Sequence, residues 1–303
     1  MSAPTVRPGV PDDVPGLCAA YNGLVVGRVP HCGPVSAAEL GPVVAAPTLE
    51  REGARLTEQA VLVAGAGGAV RGFIHLGIQA PDERGPSGGV VRFLAYPRAQ
   101  RALGDALLAA GQAWLRARDV ATVRVIPQPW RYEFYGYAHA FLSDHLDHVQ
   151  ALLLCRGYRK TGGEVFLDWP DMAPVAPGPV PGLAFDVTLE ELPGAGLRPG
   201  LRLRAVQGDE ILGVCLLKSA GEFCRAREAQ DVAFCDWLGV KAPWQGRGLG
   251  RFLLASALCE ARSRGYRHAA ISTAHDNGRA FLFYANSGFQ VVDWTYEFGR
   301  DLT

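Results

Sequence analysis

The chain has 303 residues, 49% hydrophobic and 20% charged, which is more than one ordinary domain needs and comfortable for two. Its 30 Lys and Arg balance its 30 Asp and Glu, so no overall positive field draws in nucleic acid or an anionic membrane. No apolar run reaches the about 18 residues of a spanning helix, and the start lacks the basic-then-apolar pattern of a signal peptide, so a cytoplasmic protein is expected.

Residues 5–7 read as a short strand. Pro11-Asp12-Asp13 opens a helix through Tyr21, with both carboxylates at its positive end. Ser36 and Glu39 make a capping-box pattern for a helix running toward Glu50, bent or broken at Pro42 and Pro47. Residues 60–64 and 71–78 look like two strands around a turn-rich 65–68. A strand at 90–94, a long helix at 99–117 and a strand at 122–126 follow. The aromatic segment 130–141 reads as core. His139, His145 and His148 lack carboxylate or cysteine partners at ligand spacing, so they read as exposed helical histidines and no metal is expected. A strand at 165–167 closes this half.

Residues 170–182 hold five prolines and read as a stiff, extended linker between a domain at 1–169 and another at 183–303. The second half begins with strands at 183–187 and 201–206 and a hairpin partner at 211–218. A buried strand at 232–240 leads to a glycine-rich loop, a helix at 252–264, a strand at 269–273, a helix at 279–286 and a strand at 289–297. Strand and helix alternate around a mixed sheet, an α/β fold. Seven cysteines are scattered with no C-x-x-C spacing, most of them in apolar runs, which suits reduced, buried thiols and gives no nucleophile.

The densest chemical signal is strand 232–240, loop and helix. Gln245-Gly246-Arg247-Gly248-Leu249-Gly250 leads directly into Arg251-Phe252-Leu253. The first amides of a helix have no internal partner, and the helix dipole adds positive character, so a strand-loop-helix of this kind is an anion site. Glycines there remove side chains that would hold a phosphate away from those amides. Taken alone, the glycines are equally compatible with a tight turn that binds nothing.

Two motifs in order change that reading. Gln245-x-x-Gly248-x-Gly250 after Leu238-Gly239-Val240 resembles the acyl-CoA pyrophosphate loop of the GCN5-related N-acetyltransferases. Residues 277–289, NGRAFLFYANSGF, resemble that family's second signature. With Pro97 laid on Pro243, an offset of 243 minus 97, or 146, Arg101-Ala102-Leu103-Gly104 falls on Arg247-Gly248-Leu249-Gly250. The chain is therefore expected to hold two tandem acyl-CoA N-acyltransferase domains, similar in layout to the mycothiol-synthase-like members. The first copy is degenerate: Gln100 and Ala102 replace glycines, Asp105 places a carboxylate where a phosphate would lie, and the second signature is lost.

The resemblance implies acetyl-CoA as cosubstrate and a small-molecule amine acceptor attacked directly on the thioester, with no metal. It implies that strands 234–240 and 269–273 part, that Leu238 and Val240 pair with the pantetheine, and that Gln245, Gly246, Arg247, Gly248, Gly250 and Arg251 hold the pyrophosphate. Asn277 would meet the pantetheine arm, and Tyr284 would donate a proton to the departing thiolate. Asp236, placed on the face of Leu238 and Val240 by the two-residue period, is the candidate base, with Glu222 and Glu297 as alternatives. A non-catalytic acyl-CoA-binding protein is the rival reading. Two fused copies suit either a monomer that imitates a dimer or a homodimer.

Overall fold

The computed structural model describes residues 4–66, 68–81, 86–224 and 226–302. The chain forms two compact units, Met1–Glu164 with Asp293–Thr303, and Val165–Val292. This division differs from a cut at the proline-rich segment, because the last stretch of chain returns to the first unit.

The first unit contains β1 (Thr5–Pro8), α1 (Val14–Val25), α2 (Ala37–Ala45), β2 (Leu49–Arg51), β3 (Ala54–Ala66), β4 (Ala69–Gln79), β5 (Gly88–Ala95), α3 (Arg101–Arg116), β6 (Thr122–Val125), β7 (Leu142–Ser143) and α4 (Asp147–Cys155), and then the start of β8 (Arg159–Trp169). The second holds the end of β8, then β9 (Asp186–Leu192), β10 (Gly200–Gln207), β11 (Glu210–Ser219), β12 (Val232–Val240), α5 (Leu249–Ser263), β13 (His268–Ala274) and α6 (Gly278–Ala285), and the start of β14 (Gln290–Asp301). The turn expected at 65–68 includes Gly67, which lies outside the described residues.

In the first unit the strand order is β1-β3-β4-β5-β6-β14. The hairpins are antiparallel, β5 and β6 are parallel, and β14 pairs antiparallel with β6 from Phe298 opposite Val125 to Asp301 opposite Thr122. Helix α3 covers one sheet face, where Gly72 lets Leu103 and Leu107 approach closely. Helix α1 covers the other through Tyr21, whose ring lies 5.0 Å from that of Phe93. The aromatic segment is core as expected: Trp130, Tyr132 and Tyr135 are buried. The capping box at Ser36 forms, its amide donating to Glu39 at 2.9 Å. Helix α2 runs through Pro42 and stops at Ala45, ahead of Pro47, so only the second proline ends it.

In the second unit the order from one edge is β9-β10-β11-β12-β13, and the end of β8 follows β13. Antiparallel hairpins give way to the parallel pair β12 and β13. Seven loop residues, 193–199, connect β9 to β10. The proline-rich segment is no free linker. It is an extended strap pinned to its own unit: the Met172 amide donates to the Arg267 carbonyl at 2.9 Å, and Met172 and Val180 are buried. No helix of the described residues is long and apolar enough to cross a membrane.

Candidate functional site

β12 and β13 pair from Val232 opposite His268 only as far as Cys235 opposite Ile271. Beyond that point the two strands part, leaving Leu238 and Val240 without a β13 partner. On the other side, β12 bulges: Leu216 faces Trp237 and Leu217 faces Cys235, so Asp236 has no opposite residue. The bulge breaks the two-residue alternation on which the placement of Asp236 beside Leu238 and Val240 depends.

After β12, Lys241–Trp244 makes one tight turn, and the Gln245 side chain folds back to donate to the Val240 carbonyl at 2.8 Å. Gly248 is the N-cap of α5 with φ 91°, a left-handed conformation that disfavours any side chain. Gly250 is different. A Cβ there would meet only Val240, at an ordinary 3.7 Å, so the protein itself does not require a glycine; the bare helix start keeps the adjoining space open.

That space is a cleft of about 620 Å³ lined by Leu238, Val240, Gln245, Gly246, Gly248, Gly250, Arg251, Asn277 and Tyr284. Nine of the sequence-derived residues thus meet in one cavity. Arg279, Ala280 and Phe283 join them on the α6 wall; Ala280 stands three residues from Asn277 and four from Tyr284, the helical-face spacing that would have found it. Asn277 caps α6, its Oδ1 accepting from the Ala280 amide at 3.1 Å. Tyr284 is buried, with its ring 6.3 Å from that of Phe289. Arg247 is not in the lining, and its guanidinium sits over the Trp244 ring at 5.2 Å.

Asp236 also lies outside the lining. Its carboxylate pairs with Lys218 at 2.9 Å. Glu222 shares that neighbourhood: burial raises its affinity for a proton, Lys218 opposes the rise, and Asp236 adds to it. Glu297 belongs to the first unit, where burial likewise raises it against the pull of Arg124.

The first unit repeats the strand, loop and helix, with side chains packed at the start of α3. β5 bulges at Arg92, since His75 faces Phe93 and Leu76 faces Val91. At Gly104, which aligns with Gly250, a Cβ would lie 2.7 Å from the Tyr96 ring and 2.9 Å from Leu152. Tyr96 donates to the His148 carbonyl at 2.7 Å, Arg98 pairs with Asp147 at 2.6 Å, and Arg156 pairs with Asp105 at 2.8 Å. These contacts stitch α4 onto the start of α3. His148 is half-buried in that seam and His139 sits in a turn with φ 71°, so neither is an exposed helical histidine. Asp144, His145 and Asp293 bring three ligand-type atoms within 4.8 Å of one another; Asp144 adjoins His145 in the sequence, whereas Asp293 comes from far along the chain.

The model of the acetyltransferase (GNAT) family matches residues 171–289. No curated protein matches the sequence. Among solved structures, the chain is similar to a tandem GNAT protein from the clavulanic acid biosynthesis pathway, at 16% identity and TM-score 0.64 over 99% of each chain. It is also similar to a GCN5-related N-acetyltransferase from Sphaerobacter thermophilus, at 17% identity and TM-score 0.62, covering 100% of this chain and 96% of that one. A GCN5-related glucosamine N-acetyltransferase region of a fungal multi-domain GH3 β-N-acetylglucosaminidase gives TM-score 0.68 at 14% identity; this chain covers 38% of its length. The parted strands and the glycine-rich helix start lie within the segment that the family model matches. The chain is similar in fold over its whole length to a tandem GNAT protein, and its second unit carries the segment that the GNAT family model matches.

Proposed function

We propose that the second unit transfers the acetyl group of acetyl-CoA to a primary amine on a small molecule. The observation that carries this reading is the single cleft that joins the unpaired edge of β12, the amides opening α5 and Tyr284. Backbone groups of Leu238 and Val240 are available to pair with the pantetheine amides, which lie along the edge as an added strand. The start of α5 supplies amides and dipole to the diphosphate, with Arg251 adding charge. The amine then attacks the thioester carbonyl, and the tetrahedral intermediate collapses with release of the CoA thiolate, which takes its proton from Tyr284.

The proton leaving the amine goes to the Glu222–Asp236 pair. Asp236 is ion-paired with Lys218, and burial raises the proton affinity of Glu222 beside it. In a pH–rate profile this gives an acidic limb above the ordinary glutamate range; Glu222→Gln should remove that limb and lower the plateau. An unchanged limb would assign the base elsewhere.

The first unit is a degenerate partner in this scheme, its cofactor space filled by Tyr96 and Leu152. Calorimetric titration with acetyl-CoA tests the division directly. One site per chain, abolished by Gly248→Glu, is expected; two sites would give the first unit a cofactor of its own, and none would leave a scaffold.

A further inference from the structure

Helix α5 covers one face of the sheet in the second unit. A Cβ at Gly213 would lie 2.9 Å from Leu253 of α5, and Leu201, Leu203, Cys215 and Leu217 on the same face are buried. The other face carries the alternate residues. Across it runs a straight row over three strands: Arg202 of β10 faces Leu216 of β11, and Leu216 faces Trp237 of β12. The next row is Arg204, Val214 and Gly239. Residues opposite one another in paired strands project from the same side. These six positions therefore make one floor, with arginines on β10, aliphatic side chains on β11, and an indole beside a glycine on β12.

Trp237 is 63% exposed, an uncommon place for so large an apolar group. Gly239 accommodates it. A Cβ on Gly239 would lie 2.7 Å from the indole Nε1, so the ring lies back along its own strand. By this point β12 has parted from β13, so the indole borders the edge assigned to the thioester arm. Asp236, which is absent from the cleft lining, reaches to this face as well, because its partner Lys218 alternates with the buried Leu217 and Ser219. An acceptor amine has this side open to it, since α5 occupies the other.

At the far end of the floor, Arg202 and Arg204 share one carboxylate oxygen, Glu190 Oε2, at 3.0 and 3.2 Å. Their side chains are 33% and 32% exposed. Two cations on one anion leave a single positive charge, which one further carboxylate balances and a phosphate dianion overshoots. Between that charge and the indole, Leu216 and Val214 offer only hydrocarbon.

We propose that this floor is the acceptor site and that the acceptor is an ω-amino carboxylate. Its amine lies at Trp237, its apolar chain crosses Leu216 and Val214, and its carboxylate meets Arg202 and Arg204. The indole face attracts the ammonium form, which reaches the Glu222–Asp236 pair from there. Two strand spacings, about 10 Å, separate β12 from β10, so an α-amino acid is too short to span the floor with its own amine and carboxylate. The inference rests on the reading of the cleft given above, because acetyl-CoA must bring the thioester to the parted edge.

The test measures thiol release from acetyl-CoA with ω-aminooctanoate and with octylamine, the same chain without the carboxylate. The wild type should show kcat/KM about tenfold or more higher for the amino acid, the scale of one hydrogen bond to a charged group. Replacing both arginines, Arg202→Gln with Arg204→Gln, should bring the two acceptors to parity, and Trp237→Ala should lower kcat/KM for both. Calorimetric titration with acetyl-CoA, unchanged in affinity, shows that each variant keeps its fold and its cleft. Equal use of the two acceptors by the wild type, a preference that outlives the arginine pair, or turnover of neither acceptor by a chain that binds acetyl-CoA would overturn the acceptor class. Failure of the wild type to bind acetyl-CoA would overturn the cleft, and this inference with it.

Discussion

At Tyr284, Gly248 and Gly250 the roles of protein and ligand separate cleanly. Tyr284→Phe keeps a ring against Phe289 and removes the proposed proton donor, so turnover should fall roughly 10²–10⁴-fold with acetyl-CoA affinity unchanged, read from kcat beside calorimetry. Gly248→Ala forces a side chain into a left-handed backbone and should cost about 1–2 kcal/mol of stability in denaturant titration. Gly250→Ala should leave stability within about 0.5 kcal/mol and weaken acetyl-CoA binding, because only the ligand objects to that methyl group. Asp293 gives a pH signature. Burial, with Asp144 beside it, pushes its carboxyl up to about 8, against an unfolded value near ~3.9. The folded state thus keeps a proton that the unfolded chain has lost, so this contribution is intact below about pH 4 and fades as pH rises through 8. Asp13, held down by Arg7, acts in the opposite sense and only toward acid. Asp293→Asn should flatten the decline in melting temperature between about pH 5 and 8; an equally steep decline would show that the titration lies elsewhere.

The elements around the cleft were legible because their signals are local. A strand, three glycines and an amphipathic helix occupy one continuous stretch, and Asn277 and Tyr284 share one helix. Asn277→Ala removes the α6 cap and should cost about 1 kcal/mol in thermal unfolding. The bulge at Asp236 was not legible, since an apolar run shows its period but not where a neighbouring strand skips a residue. The strap was hidden for a related reason. Five prolines declare an extended chain and say nothing about what it lies on; that depends on Arg267 and Cys259, far away in sequence. The crowding at the start of α3 was half visible. Asp105 announced it, whereas the Tyr96–Leu152 plug needed α4 to be in place.

For the whole molecule, the two compact units divide elsewhere than at the prolines, because strand order is a long-range property. β14 supplies the neighbour of β6, although nearly the whole second unit separates them in the chain. A chain ending at Val292 should therefore lose protection in the first unit and be cut by protease within residues 1–164, because β6 is left with an open edge. An unchanged cleavage pattern would show that the first unit stands without its last strand.

That late strand also sets a schedule. Domains generally fold in the order in which they are made, at about 5–20 residues per second. Here the first unit, though synthesised first, waits on the order of ten seconds for residues 293–301 while the second unit is translated. The part of the protein that leaves the ribosome first is the part finished last, so a nascent chain carries an open sheet that a chaperone has reason to hold.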